Sequence, residues 1–212
     1  ASAIITRYID LGNELNATAL DAIGAGYVCL LNVTQLSLID PKNLRLASLN
    51  VSACSQSTKD ILYAKAKQAF SGQPFPAYYE LMAPYLGGAP GSDLKALSKR
   101  NVNMNISTFV QLRADSLMSL TPSEVRGLLG VNLPDLKQWQ NKPPVWQWVQ
   151  RQKQSELAKL GIGLTGGTQE GYINIIGPKE QEPSAASLGP VAMTLHLLPP
   201  LLLSVLMASV LS

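Results

Sequence analysis

Helix-start signals recur along this chain so closely that no long helix fits between them. Asp40-Pro41 pairs a capping carboxylate with proline in the first turn. Thr121-Pro122-Ser123-Glu124 is a capping box with proline at the first helical position. Leu133-Pro134-Asp135-Leu136 and Pro143-Pro144 mark two further starts. Thr58 reads as the cap of KDILYAKAKQAF and Ser92 as the cap of DLKALSKR. Strand-like alternation is nearly absent, so the expected fold is all-α, with many short helices of roughly 8 to 15 residues. NLRLASLNV (Asn43 to Val51) and DLKALSKRNV (Asp93 to Val102) each set a Leu-rich turn ahead of Asn-Val. This pairing hints at stacked helical repeats, a solenoid, and an irregular bundle is the alternative.

Apolar spacing assigns the inner faces. Tyr8 to Leu31 reads as two short helices parted by Gly24-x-Gly26. Ile61, Leu62, Ala66, Ala69 and Phe70 share one face. ISTFVQLRADSLMSL reads as one helix with Phe109, Leu112, Leu117 and Leu120 inside. VWQWVQRQKQSELAKLGIGL reads as another, with Trp146, Val149 and Leu157 inside and closing glycines at Gly161 and Gly163. Trp146 and Trp148 cannot face the same side of a helix, so one ring is a candidate for the surface. Tyr172 to Ile176 reads as a short extended piece.

The last stretch, Val191 to Ser212, carries no Asp, Glu, Lys or Arg. A true span normally has a basic cytoplasmic flank, and none follows here; Pro199-Pro200 would also break a spanning helix. Small residues at Ser184-Ala185-Ala186, a spacer of roughly 10 residues and an apolar end of roughly 16 fit a glycosylphosphatidylinositol (GPI) attachment signal, with Ser184 as the attachment residue. A C-terminal span and a buried helix are the alternatives. The expected organisation is a helical ectodomain over 1–176, a polar stalk and attachment region over 177–187, and a hydrophobic signal over 188–212 that is removed. The chain opens on Ala1 and reads as a fragment or processed product of a secretory precursor.

The secretory reading organises the remaining signals. Cys29 and Cys54 are the two cysteines. In an oxidising compartment a pair is most simply a disulfide, worth about 3 kcal/mol in the chain-entropy account, and two buried thiols are the alternative. Asn16, Asn32, Asn50 and Asn105 each open an N-x-[ST] sequon, and each one used must face solvent. Enzymatic chemistry has little to work with. The single histidine, His196, lies in the tail, no phosphate-binding glycine loop is present, and Asp93, Asp115, Glu124 and Asp135 sit where capping and solvation explain them. The expectation is a protein without catalytic activity or cofactor. A net charge of +3 without clustering gives no support for a nucleic-acid partner.

YLGGAPGSDLKALSKRNVNMNISTFVQLRADSLMSLTPSEVRGLLG (Tyr85 to Gly130) resembles the mesothelin, stereocilin and otoancorin family, toward its C-terminal part. GYVC with Cys54 and YAKAKQAF, and RQKQSELAKLGIGLTGGTQEGY, resemble the same family. The resemblance implies an armadillo-like superhelix of short helices with Cys29 and Cys54 as a family cysteine pair. It implies a GPI-anchored protein on the outer face of the plasma membrane that acts in cell adhesion by binding a cell-surface mucin or other glycoprotein. The family also implies a second possibility, attachment of an extracellular gel or matrix to an epithelium. The mucin-binding part of the family lies before this stretch, so no contact residue transfers. The family's Asn-Val-Ser sequon falls at Asn101-Val102-Asn103 here and is lost, while Asn105 offers one four residues on.

Overall fold

Short helices leave most of their backbone groups at their ends, so the starts decide whether they form. A computed structural model describes residues 2–47 and 49–171, and these build an all-helical fold. Tyr172 to Ile176, the stalk and the tail lie outside the described residues. The first layer holds α1 (Ser2–Asp10), α2 (Ala17–Val28), α3 (Val33–Ser37) and a 3₁₀ helix (Pro41–Arg45). The long α4 (Gln56–Phe70) packs on that 3₁₀ helix and on α3 behind it. Ahead of it, α4 meets α5 (Ala77–Met82) and a second 3₁₀ helix (Ala83–Gly88). Then come α6 (Gly91–Ser98), α7 (Ile106–Phe109), α8 (Ala114–Met118), α9 (Pro122–Leu129) and a third 3₁₀ helix (Gly130–Trp139). The last two helices are α10 (Val145–Arg151) and α11 (Gln154–Ala158).

Packing follows chain order: α6 packs on α8 and α9, and α8 on α10. Bonds between elements recur at similar separations. Gln35 Nε2 reaches Thr6 Oγ1, 29 residues back. Tyr63 reaches Asp93 across 30 residues, Ser116 the Ala89 carbonyl across 27, and Trp148 the Leu120 carbonyl across 28. These four side-chain bonds thus join elements about 30 residues apart along the chain. Gly88 and Gly127 let two backbones close in: a Cβ would collide with the Lys59 carbonyl at the first and the Ser98 carbonyl at the second.

One arrangement starts many of these helices. The Asn16, Asn32 and Asn105 side chains accept the backbone N–H three residues on, at 2.9, 2.9 and 2.7 Å. Asp40 accepts from Lys42, and Thr121 and Glu124 form the expected capping box. The residue before each cap and the residue four after it are both buried: Leu15 and Leu20, Leu31 and Leu36, Ile39 and Leu44, Met104 and Phe109, Leu120 and Val125. These are the positions of the hydrophobic staple, which fixes how the chain enters a helix. A cap contributes about 1 kcal/mol and each fully buried apolar side chain about 1.5–3 kcal/mol.

Several starts differ from the sequence expectation. Ser55, not Thr58, caps α4, and Thr58 is buried as the residue whose N–H the Ser55 hydroxyl accepts, at 3.3 Å. Pro90, with no side-chain cap bond, precedes α6 in place of Ser92. The main break between Tyr8 and Leu31 comes before Asn16, with Gly24 (φ 70°) only kinking α2. The expected helix over 106–120 divides into α7 and α8 at Arg113, whose guanidinium bonds Asp60 on α4 at 2.9 Å. Pro134 lies inside the third 3₁₀ helix rather than at a start. The expected helix from Val145 divides at Gln152, where the backbone turns extended and its carbonyl accepts from Thr168 N at 2.8 Å.

Trp146 and Trp148 exchange roles relative to the expectation. Trp148 is fully buried and donates from Nε1 to the Leu120 carbonyl at 2.8 Å, while Trp146 is 42% exposed. In urea denaturation, Trp148→Ala should lower the unfolding free energy by about 3–5 kcal/mol. Trp146→Ala should change it by less than about 0.5 kcal/mol.

Candidate functional site

The residues singled out for surface chemistry are the sequon asparagines, and helix starts position three of them. Asn16, Asn32 and Asn105 precede α2, α3 and α7 in extended backbone, and all three are exposed. Asn50 is also exposed and folds into a short turn in which its Oδ1 accepts from Ser52 N at 3.1 Å. In every case the side-chain oxygen is engaged and Nδ2 donates no hydrogen bond among the described residues. A glycan is attached at Nδ2 and leaves the amide carbonyl in place. Capping and glycan attachment therefore use different atoms of one side chain, and each is compatible with the other.

Asn50 and Ser52 border a groove of about 450 Å³ that Ser107 and Thr108 border from α7. The Asn50 sequon and the segment just after Asn105 thus share one face, together with Lys59, Glu80 and Gln111. Asn16 and Thr18 edge a separate apolar groove of about 400 Å³ against Ile4 and Tyr8 of α1.

Cys29 ends α2 and is joined to Cys54, which immediately precedes the Ser55 cap of α4, with Cα atoms 4.7 Å apart. The bridge ties the end of α2, within the first layer, to the start of α4, and the two-thiol alternative is set aside.

The four candidate carboxylates lie apart, on α6, α8, α9 and the third 3₁₀ helix. Asp93 accepts from Tyr63 and Lys67, Glu124 closes the capping box, and Asp115 lies 3.8 Å from Arg113. Asp135 lies in the third 3₁₀ helix. Among the described residues no cluster of His, Cys, Asp and Glu is arranged to hold a metal ion. No helix among them is long and apolar enough to cross a membrane. Ser184 and the apolar tail lie outside the described residues.

A family model described as mesothelin matches residues 1–211. The chain belongs to the mesothelin family. Mesothelin of Rattus norvegicus is 39% identical over 175 residues, covering 81% of this chain and 28% of the relative. Mesothelin of Mus musculus is 38% identical over 177 residues, covering 82% and 28%. The mesothelin-like protein of Homo sapiens is 36% identical over 177 residues, covering 76% and 25%. This mesothelin-family chain thus spans about a quarter of the length of those curated relatives.

In this family member Asn101-Val102-Asn103 is not a sequon, and Asn103 has a structural role. Asn103, which stands where a sequon hydroxyl would, has φ 52°, and its Oδ1 accepts from Val131 N at 3.1 Å. Its carbonyl accepts from Asn132 Nδ2 at 2.8 Å. A serine at this position would not reach Val131 in the same way. That bond spans 28 residues and has no local signature in the sequence.

Removing a glycan and removing a cap are therefore separable. On the expectation that the Asn32 sequon is used, Thr34→Ala should abolish its sugar, read by glycopeptide mass mapping, and leave the thermal midpoint of the deglycosylated protein unchanged. Asn32→Ala should remove both and destabilise by about 1 kcal/mol.

Proposed function

We propose that this chain is the C-terminal part of a GPI-anchored cell-surface glycoprotein that acts in cell adhesion, its helical surface binding a mucin or other glycoprotein on a facing cell. Membership of the mesothelin family over residues 1–211 is the observation that carries the reading. Three features support it. Four sequon asparagines lie on the surface of a helical stack, as a glycoprotein ectodomain requires. A disulfide joins its first layers, in keeping with an oxidising compartment. The sequence of the uncharged tail after Ser184-Ala185-Ala186 suits a signal exchanged for lipid.

In this reading residues 1–176 form the ectodomain, 177–187 the stalk with Ser184 as attachment residue, and 188–212 the discarded signal. The role is one of binding, with no catalytic step and no cofactor. Stacked short helices suit it, because they give a broad surface whose outward side chains are free of packing duties.

The anchor is tested on cells displaying the full chain. Phosphatidylinositol-specific phospholipase C should release the protein, and Ser184→Leu combined with Ala185→Leu and Ala186→Leu should reduce surface display. Retention on the cells while a known GPI-anchored control is released would overturn the anchored reading.

A further inference from the structure

A third groove, of about 520 Å³, lies apart from the sequon face, among α4, the turn after it, α5 and α6. Its volume falls within the range of about 300–1,000 Å³ typical of small-ligand sites. Phe75 and Tyr78 supply two aromatic rings with centroids 6.4 Å apart and planes tilted by 34°. The Arg100 guanidinium sits over Phe75, 5.7 Å from the ring centroid. Among the described residues that guanidinium makes no ion pair and no hydrogen bond, so its charge is held at the aromatic surface without a protein partner.

The second cation in the lining, Lys67, is paired with Asp93. Lys67 and Tyr63 both bond the same oxygen of Asp93, Oδ2, at 2.6 and 2.7 Å. Oδ1 receives no donor among the described residues. Burial pushes the Asp93 carboxyl up, but the hydrogen bonds from Lys67 and Tyr63 outweigh it and hold it below the usual range. Asp93 is therefore a charged acceptor at neutral pH. Ser71 and Gln73 add a hydroxyl and an amide. The groove offers an aromatic surface, one uncompensated cation, one acceptor and small polar groups.

That combination selects a ligand with an apolar ring face, several hydroxyls and one anionic group. Inorganic phosphate would use only the cation, and a neutral sugar only the rings and the acceptor. We propose that this groove binds a carboxylate-bearing pyranose, with its ring face on Phe75 and Tyr78, its carboxylate on Arg100 and its hydroxyls on Asp93 and Gln73. The proposal deepens the adhesion reading, on which its biological meaning rests, by naming the chemistry recognised on a partner glycan. Such a sugar occurs as a sialic acid at a glycan end or as a uronic acid within a glycosaminoglycan.

The test uses the full chain displayed on sialidase-treated cells, so that the cells' own sialic acids do not compete. Three multivalent fluorescent probes are compared: polymer-linked sialyllactose, polymer-linked lactose and a hyaluronan oligosaccharide. Multivalency raises weak single-site binding to a measurable level. Binding of sialyllactose or hyaluronan above lactose is expected, and which of the two binds assigns the source of the carboxylate. Arg100→Ala should lower that binding by at least about tenfold at equal surface display. Lys99→Ala, which removes the same charge one residue away, should stay within about twofold.

Equal binding of lactose, no binding of any probe, or equal losses with Arg100→Ala and Lys99→Ala would overturn the groove. A parallel cell-capture assay keeps the two readings apart. Capture of glycoprotein-bearing cells that Arg100→Ala leaves intact would overturn the groove as the contact and leave adhesion standing. Selective probe binding without capture would support the groove and overturn adhesion.

Discussion

A five-residue helix has almost no internal i to i−4 hydrogen bonds, because nearly all of its N–H groups belong to its first turn. The described fold contains several helices of that length, α3, α8 and α11 among them. At several starts such a piece is held by a side-chain acceptor for an orphan N–H, bracketed by two apolar residues that the packing buries, as at α3 with Asn32 between Leu31 and Leu36. At α7 these are Asn105 with Met104 and Phe109, and at α9 Thr121 with Leu120 and Val125. At two starts that lack a side-chain cap the bracket is present, with Ala89 and Leu94 around α6 and Leu112 and Leu117 around α8, whereas at α5, α10 and α11 one or both bracket positions are polar or exposed. Cap and bracket can therefore occur separately, since α4 has the Ser55 cap with Lys59 in the fourth position, and for helices this short tertiary burial outweighs local propensity.

This explains what the sequence made legible. Asp40-Pro41 and the Thr121 capping box declare themselves locally, and their structures follow. The break inside 106–120 was also written in the sequence, as the step of five from Leu112 to Leu117, which suits a staple rather than a continuous helix. In the run Ser55-Gln56-Ser57-Thr58 three hydroxyls compete for one cap, and tertiary burial of Thr58 decides for Ser55. Trp146 and Trp148 were indistinguishable locally. The carbonyl of Leu120, 28 residues away, accepts the indole proton of Trp148 and settles which ring goes inside. The aromatic and cationic groove was out of reach for the same reason, since Lys67, Phe75, Asp93 and Arg100 meet only when α4 and α6 pack.

The starts also connect fold to surface. An asparagine that caps through Oδ1 keeps Nδ2 for other chemistry, so a family member can gain or lose a sequon at a helix start by changing the residue two further on. Asn105 has Ser107 in that place; Asn101, which starts no helix and has φ 49°, is followed two residues on by Asn103, which ties its segment to the third 3₁₀ helix. The Cys29–Cys54 bridge meets the same system, because Cys54 holds the position just before the Ser55 cap. Structural starts and exposed chemistry therefore lie at the same points, and the faces between them are left to grooves.

The claim that each start acts as one unit is tested most directly by a double-mutant cycle across the α9 start. Leu120→Ala, Val125→Ala and the double variant would be unfolded in urea. Two side chains packed as a staple should show a coupling energy above about 0.5 kcal/mol, because removing one leaves the other less to lose. Losses that add to within about 0.3 kcal/mol would mean that the two residues are buried independently, and the start would then be no more than a cap beside a core.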